Sequence, residues 1–273
     1  MNETAVKVGI FDSGVGGLSI LRAIHALLPA QPLLYFGDQA HVPYGSRSLD
    51  EVRAFSEEIT RFLLRRGAKL IVVACNTASA AALHHLRRIF PEVPFVGMEP
   101  AVKPAAERSQ THRVGVLATP ATFQGELYAS VVERFAAGTT IFQHTCPGLV
   151  QQIEAGHLDG VETRRILQDA LLPMLAEHID KLVLGCTHYP FVIPLIQEIT
   201  GPQVQVIDPA PAIARQTQRL LENYSWAGQS PPPGEMIFFT SGPPQPFAEL
   251  LPLLLGINGV VTRVQWEGLT LPA

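Results

Sequence analysis

Apolar residues in this chain come in short unbroken runs, set between longer stretches of helical period. "VKVGIF", "LLYFGD", "KLIVVAC" and "VPFVGME" are runs of the first kind, and "LSILRAIHALLP", "LDEVRAFSEEITRFLLRRG" and "ASAAALHHLRRIF" lie between them. Runs without polar alternation predict strands buried on both faces, so the pattern points to a parallel sheet covered by helices. Ser48 stands three residues before Glu51, the spacing of a capping box at a helix start. Arg65 and Arg66, just before Gly67, mark the end of that helix, where cations oppose the negative pole of the dipole.

A second series of the same kind begins near Met98 and ends near Asp208. It comprises the strand "HRVGVLAT", a helix from Pro120 to Phe135, the strand "TTIFQHTCP" and the segment "GLVQQIEAG". The helix "RRILQDALLPMLAEHI" follows, which Pro173 should bend or break, and then the strands "KLVLGCTHYP" and "QVQVIDPA". Beyond Asp208 come the helix "AIARQTQRLLEN", the linker-like "AGQSPPPGE" and a last strand, "MIFFTSG". The fold class expected is α/β, with two doubly wound parallel sheets. Periodicity alone leaves open whether the residues after Asp208 return to the first unit or extend the second.

Ligands of open parallel sheets bind beyond the carboxyl ends of the strands. Polar residues gather there in this chain: Asp12-Ser13, Asp38, Cys75-Asn76-Thr77, Thr119, Cys186-Thr187-His188, Asp208 and Thr240-Ser241. In "VVACNTASA" and "LVLGCTHYP" a cysteine recurs at the same point, after a strand and before a helix start. A helix N-terminus lowers a thiol pKa from about 8.5 toward neutrality, which predicts available thiolates at Cys75 and Cys186. Three chemistries fit such a pair. A redox disulfide is one, although the local Cys-x-x-Cys motif is absent. A zinc site on Cys75, Cys186 and His188 is another, with an unfamiliar ligand spacing. The third is a pair of thiols on opposite faces of a substrate carbon, one taking a proton and the other giving one.

Other candidates have plainer readings. Cys146 reads as a small buried hydrophobe, and the adjacent His84 and His85 point in different directions from one helix. In "DSGVGG", Gly14 and Gly16 resemble a dinucleotide loop, with Asp38 near the place of the ribose-binding acid. Ser19, however, stands where the third glycine belongs, and Asp12 would repel a pyrophosphate. The glycines also suit a tight turn with close backbone approach.

Composition then excludes several classes. Hydrophobic residues make up 47% of the chain and charged ones 16%, which is a globular balance. Twenty basic residues against 24 acidic ones give a net charge of −4 without any basic block, so no nucleic-acid surface is expected. No stretch reaches membrane-spanning length and the first residues lack a secretory core, so no membrane partner is expected. Three cysteines make no disulfide framework, which points to the cytoplasm.

Taken together, "GIFDSGVGGLSI", "YFGDQAHVPYGSRS", "VVACNTASA", "VGMEPAVKPA", "VGVLATPATF", "LVLGCTHYPF", "IDPAPAIA" and "FFTSG" resemble the glutamate racemases of the aspartate/glutamate racemase superfamily, in order along nearly the whole chain. The resemblance implies interconversion of L- and D-glutamate without cofactor or metal, supplying D-glutamate for peptidoglycan. Aspartate racemisation and a nucleotide-binding regulatory module are the alternatives. It further implies two pseudo-symmetric domains, residues 1–98 with 208–273 and residues 99–207, with the active site between them, and a homodimer.

The family's catalytic thiols map onto Cys75, which would take the α-proton of D-glutamate, and Cys186, which would take that of L-glutamate. Asp12, His188 and Glu154 match the groups that assist them, although Gln151 stands near Glu154 where proline is common. Substrate contacts map onto Asp12, Ser13, Pro43, Tyr44, Gly45, Asn76, Thr77, Thr119, Thr122, Thr187 and His188. The short N-terminus implies no activation by a cell-wall precursor.

Overall fold

In the computed structural model, described over residues 6–136, 138–226 and 234–272, ten strands form two wholly parallel sheets. The first four are β1 (Lys7–Asp12), β2 (Leu33–Gly37), β3 (Ala68–Val73) and β4 (Phe95–Gly97). The middle series is β5 (Arg113–Ala118), β6 (Thr140–His144), β7 (Lys181–Gly185) and β8 (Gln205–Ile207), and the chain ends with β9 (Met236–Thr240) and β10 (Val261–Arg263).

One sheet runs β10-β9-β2-β1-β3-β4 and the other β6-β5-β7-β8. The residues after Asp208 therefore return to the first sheet, where β9 pairs with β2. The orders β2-β1-β3-β4 and β6-β5-β7-β8 are the same winding, so the two parallel-sheet domains are pseudo-symmetric. In that correspondence β3 matches β7, and the residues just past their ends carry Cys75 and Cys186. Each sheet reverses its winding direction beside its first strand, the kind of crevice where doubly wound sheets bind ligands.

The unbroken apolar runs are explained by two-sided burial. Val8 and Ile10 of β1 pack with Leu70 and Val72 on one face, while Phe11 packs with Ile71 and Val73 on the other. The first of these cores continues into the second domain through Leu117, Leu182 and Leu184, so part of the contact between the domains is apolar.

The helix Leu49–Arg65 starts at the expected capping box: Ser48 Oγ accepts from Glu51 N–H and Glu51 reaches back to Ser48 N–H. Two expectations need correction. The helix from Pro120 to Phe135 is two, Pro120–Gln124 and Glu126–Phe135, because Gly125 is extended where it passes within contact of Ala80. Pro173 does not interrupt its helix, which runs Val161–Ala176. It lies on the exposed face of the last turns, as does Asp169, the residue whose carbonyl it leaves without its helical bond. The linker-like stretch lies mostly outside the described residues.

Candidate active site

The carboxyl ends of β1, β3, β5 and β7 converge on a small, narrow pocket. Its walls include Ser13, Pro43, Tyr44, Gly45, Cys75, Asn76, Thr77, Thr119, Cys186, Thr187 and His188, all named by the sequence motifs, together with Val150 and Gly185, which were not. Asp12, Thr122 and Glu154 stand behind this wall. The cavity volume is about 20 Å³, room for roughly one water molecule. That space is smaller than an amino acid.

Cys75 caps the helix Asn76–Ile89, and its Sγ accepts from Ala78 N–H at 3.4 Å. The expected lowering of its pKa is not what the site produces. Burial pushes this thiol well above its ordinary value and the Asp12 carboxylate adds to the rise, while the helix N–H groups oppose both without prevailing. Asp12 is itself fully buried, accepting from Gly14 N–H (3.1 Å) and from the Thr187 hydroxyl of the other domain (3.1 Å). Across the same interface Thr77 and Thr119 share a hydroxyl–hydroxyl bond of 3.0 Å, and Thr119 in turn bonds Thr122 at 3.0 Å.

Cys186 is held by a different device. A short 3₁₀ turn, Tyr189–Val192, follows it where Cys75 has a long α-helix, and the assisting group is an imidazole. His188 Nδ1 lies 3.8 Å from Cys186 Sγ, and its Nε2 lies 2.7 Å from Glu154 Oε1. Burial acts to lower the His188 pKa, but the bonds to Cys186 and Glu154 outweigh it and hold the imidazole well above its usual value. Glu154 is the complement: burial acts to raise it, yet His188, Gln39 and the Val15 N–H keep it below the usual carboxylate range. An ionised Glu154 and a protonated His188 leave a positive ring beside the Cys186 sulfur, as in thiol enzymes that pair cysteine with histidine.

This pair sets a stability window. Glu154, with its depressed pKa, contributes stability above about pH 4.3 that is lost as pH falls through its folded value. His188, with its raised pKa, contributes fully below about pH 6.5 and loses that contribution as pH rises through its folded value. The difference in melting temperature between wild type and Glu154→Gln should be largest between those limits and shrink on both sides, which thermal melts across the range will check.

The glycine loop has its own explanation. A Cβ on Gly14 would sit 1.9 Å from Glu154 Oε1, and one on Gly16 would sit 2.4 Å from His188 Nδ1. The glycines admit the second domain's side chains, leaving no space for a pyrophosphate. Ser19, the departure from the dinucleotide pattern, places its hydroxyl within reach of the Gly16 carbonyl (2.8 Å) and the Thr187 carbonyl (2.9 Å), tying the domains together. Asp38 is no ribose ligand either. Ser241 Oγ (2.7 Å), Trp266 Nε1 (2.8 Å), Tyr44 OH (2.6 Å) and His41 Nδ1 (2.9 Å) occupy both its oxygens and fix the loop that carries Tyr44.

The sequence reading missed Gln39, the Val15 N–H and Tyr35, whose hydroxyl donates to the Gly14 carbonyl at 2.7 Å. Nothing in a single sequence marks them, since each matters through a partner distant in the chain. Cys146 is buried as expected, and burial pushes its thiol up to about 12. Among the described residues no three His, Cys, Asp or Glu converge as metal ligands would, and no helix is long and apolar enough to cross a membrane.

Two pseudo-symmetric domains bringing two thiols to one pocket narrow the class, and similarity to known proteins names it. A family model for Asp/Glu/hydantoin racemase matches residues 16–217, and the chain belongs to that family of isomerases. Within it, the chain is 50% identical over 266 residues to a glutamate racemase of Pseudomonas paraeruginosa, covering 97% of this chain and 99% of that one. Among solved structures it matches a glutamate racemase of Bacillus anthracis with a TM-score of 0.86 and 31% identity, over 97% of this chain and 98% of the other. It also matches the Escherichia coli glutamate racemase, solved with L-glutamate and the activator UDP-MurNAc-ala, with a TM-score of 0.85 and 32% identity, over 99% and 100% of the two chains.

Proposed function

We propose that this chain interconverts L- and D-glutamate by a two-base mechanism in which Cys75 and Cys186 act on opposite faces of the α-carbon, with no cofactor. The observation that carries the reading is the placement of both thiols at equivalent strand ends on one narrow pocket. The identity to glutamate racemases over almost the whole chain supports glutamate as the substrate.

A two-base mechanism needs one thiolate and one thiol at the start. The starting thiolate is assigned to Cys186, whose sulfur lies beside the His188 ring, because burial and Asp12 keep Cys75 protonated. Cys186 then takes the α-proton of L-glutamate as Cys75 delivers its own to the other face, leaving the two protonation states exchanged. In the reverse direction the Cys75 thiolate, disfavoured by its surroundings, is a correspondingly strong base for D-glutamate.

The α-proton is far less acidic than a thiol, so the developing carbanion needs preorganised dipoles in a water-free site. Asn76 is suited to that work. Its side chain is buried at the cavity wall, and neither its Oδ1 nor its Nδ2 has a hydrogen-bond partner within the protein. A buried carboxamide without partners costs stability, and the carboxylate and ammonium of a bound amino acid would satisfy both ends. Ser13, Thr77, Thr119, Thr187 and the Tyr44-Gly45 turn complete the polar wall, with Asp12 acting through Thr187, Thr122 through Thr119 and Glu154 through His188.

The same reading divides the chain into residues 1–98 with 208–273 and residues 99–207, which the return of β9 and β10 to the first sheet supports. A cytoplasmic homodimer supplying D-glutamate for peptidoglycan follows by resemblance to the family, and three unpaired cysteines suit a reducing compartment.

Proton NMR of the purified protein with each glutamate enantiomer in D₂O tests the reading. The expected result is loss of the α-proton signal together with appearance of the opposite enantiomer by polarimetry. Exchange with aspartate but not glutamate would reassign the substrate, and exchange with neither would overturn the racemase reading.

A further inference from the structure

The loop after β2 carries a side chain that joins the two halves of the Cys186 machinery. Gln39, half-buried, donates from Nε2 to Glu154 Oε2 at 3.0 Å. Its Oε1 accepts from the Thr240 hydroxyl at 2.9 Å, at the last residue of β9, and that hydroxyl accepts from Gly242 N–H at 3.1 Å. A carboxylate only accepts, so the amide nitrogen must face Glu154 and the amide oxygen Thr240. The turn leaves the side chain its place: a Cβ on Gly242 would sit 2.8 Å from the Gln39 Cβ.

A continuous chain of contacts thus runs from Thr240 through Gln39, Glu154 and His188 to Cys186. Glu154, His188 and Cys186 belong to the segments around the second sheet, whereas Gln39, Thr240 and the Val15 N–H belong to the first. Two of the three donors on Glu154 therefore come from across the interface, and parting the domains removes both.

We propose that Gln39 is a positioning residue: donating from the opposite domain, it holds the Glu154 carboxylate against His188, so that the carboxylate–imidazole–thiol array ending at Cys186 is complete only when the domains are closed. The inference rests on the two-thiol reading of the site. A donor to the charged form of a carboxylate favours ionisation, so Gln39 ties the readiness of the base to the moment when water is excluded and a captured proton is kept.

The test follows the His188 ring nitrogens by NMR across pH in histidine-labelled wild type and Gln39→Met, with His188→Gln identifying the signal. Loss of the Gln39 donor should raise the acid-side transition of His188, which reports protonation of Glu154, by about one unit. Gln39→Glu should raise it further, because two carboxylates then face each other. The acid limb of kcat should move the same way, and kcat near neutrality should fall about tenfold with KM little changed.

If Gln39→Met loses its cooperative melt, Gln39→Glu, which keeps the acceptor for Thr240, decides the matter by its own larger rise. An unmoved His188 transition in a folded variant overturns the proposal, even if activity falls. A wild type that leaves the α-proton of glutamate in place would instead overturn the racemase reading, while the His188 titration still decides the role of Gln39.

Discussion

Cys186→Ser and Cys75→Ser should each lower kcat/KM for glutamate by about 10²–10⁴-fold, the range that a positioned acid or base contributes. A serine hydroxyl keeps the geometry but gives up its proton far less readily, so neither half of the exchange finds its thiolate. The loss must be the same in both directions for a given variant. Enantiomers have equal free energy, the equilibrium constant is one, and the ratio of forward to reverse kcat/KM is bound to it.

What separates the two variants is exchange without inversion. In Cys186→Ser the surviving Cys75 still faces the α-proton of D-glutamate, so D-glutamate should exchange with D₂O faster than L-glutamate. In Cys75→Ser the preference should reverse. Chiral analysis beside the NMR signal reads both quantities, and near-wild-type inversion in either variant would sink the two-base mechanism.

Gly16→Ala should be nearly as damaging without touching a reactive atom. The added methyl would stand 2.4 Å from His188 Nδ1 and 2.6 Å from the Thr187 hydroxyl, closer than any real contact. The loop and the opposing turn must separate by about an ångström, and displacement on that scale costs on the order of 10²-fold in rate. Overpacking should cost about 1–3 kcal/mol of stability, which leaves the protein folded. The expected result is a large fall in kcat with a modest drop in melting temperature. A folded Gly16→Ala with full activity would show that His188 need not sit where the closed site holds it.

All three variants bear on how much a single sequence can disclose. The repeated cysteine was legible because strand, thiol and helix start are local features, and the pseudo-symmetry of the sheets explains why the repeat exists. The equivalence is topological, not electrostatic. One thiol is set at a helix end near a repelling carboxylate, the other beside an imidazole, and local sequence led to the wrong direction for Cys75. Helix N–H groups act over one turn, whereas burial and Asp12 act through tertiary packing that no spacing rule contains. The glycine loop misled for the same reason: its pattern records a close approach, but the approaching groups lie more than a hundred residues away.

By itself, then, the sequence determined nine of the ten described strands, all but β10, most helices, the Ser48 capping box and the positions where polar residues leave the sheets. These depend on hydrophobic period and on bonds that span a few residues. Only the tertiary structure decided which strand ends meet, that β9 and β10 return to the first sheet, that Asp38 is a scaffold acid, and that Gln39 reaches Glu154. Those outcomes depend on side chains brought together by domain closure, and their energies are set by burial and distance that the linear chain does not carry.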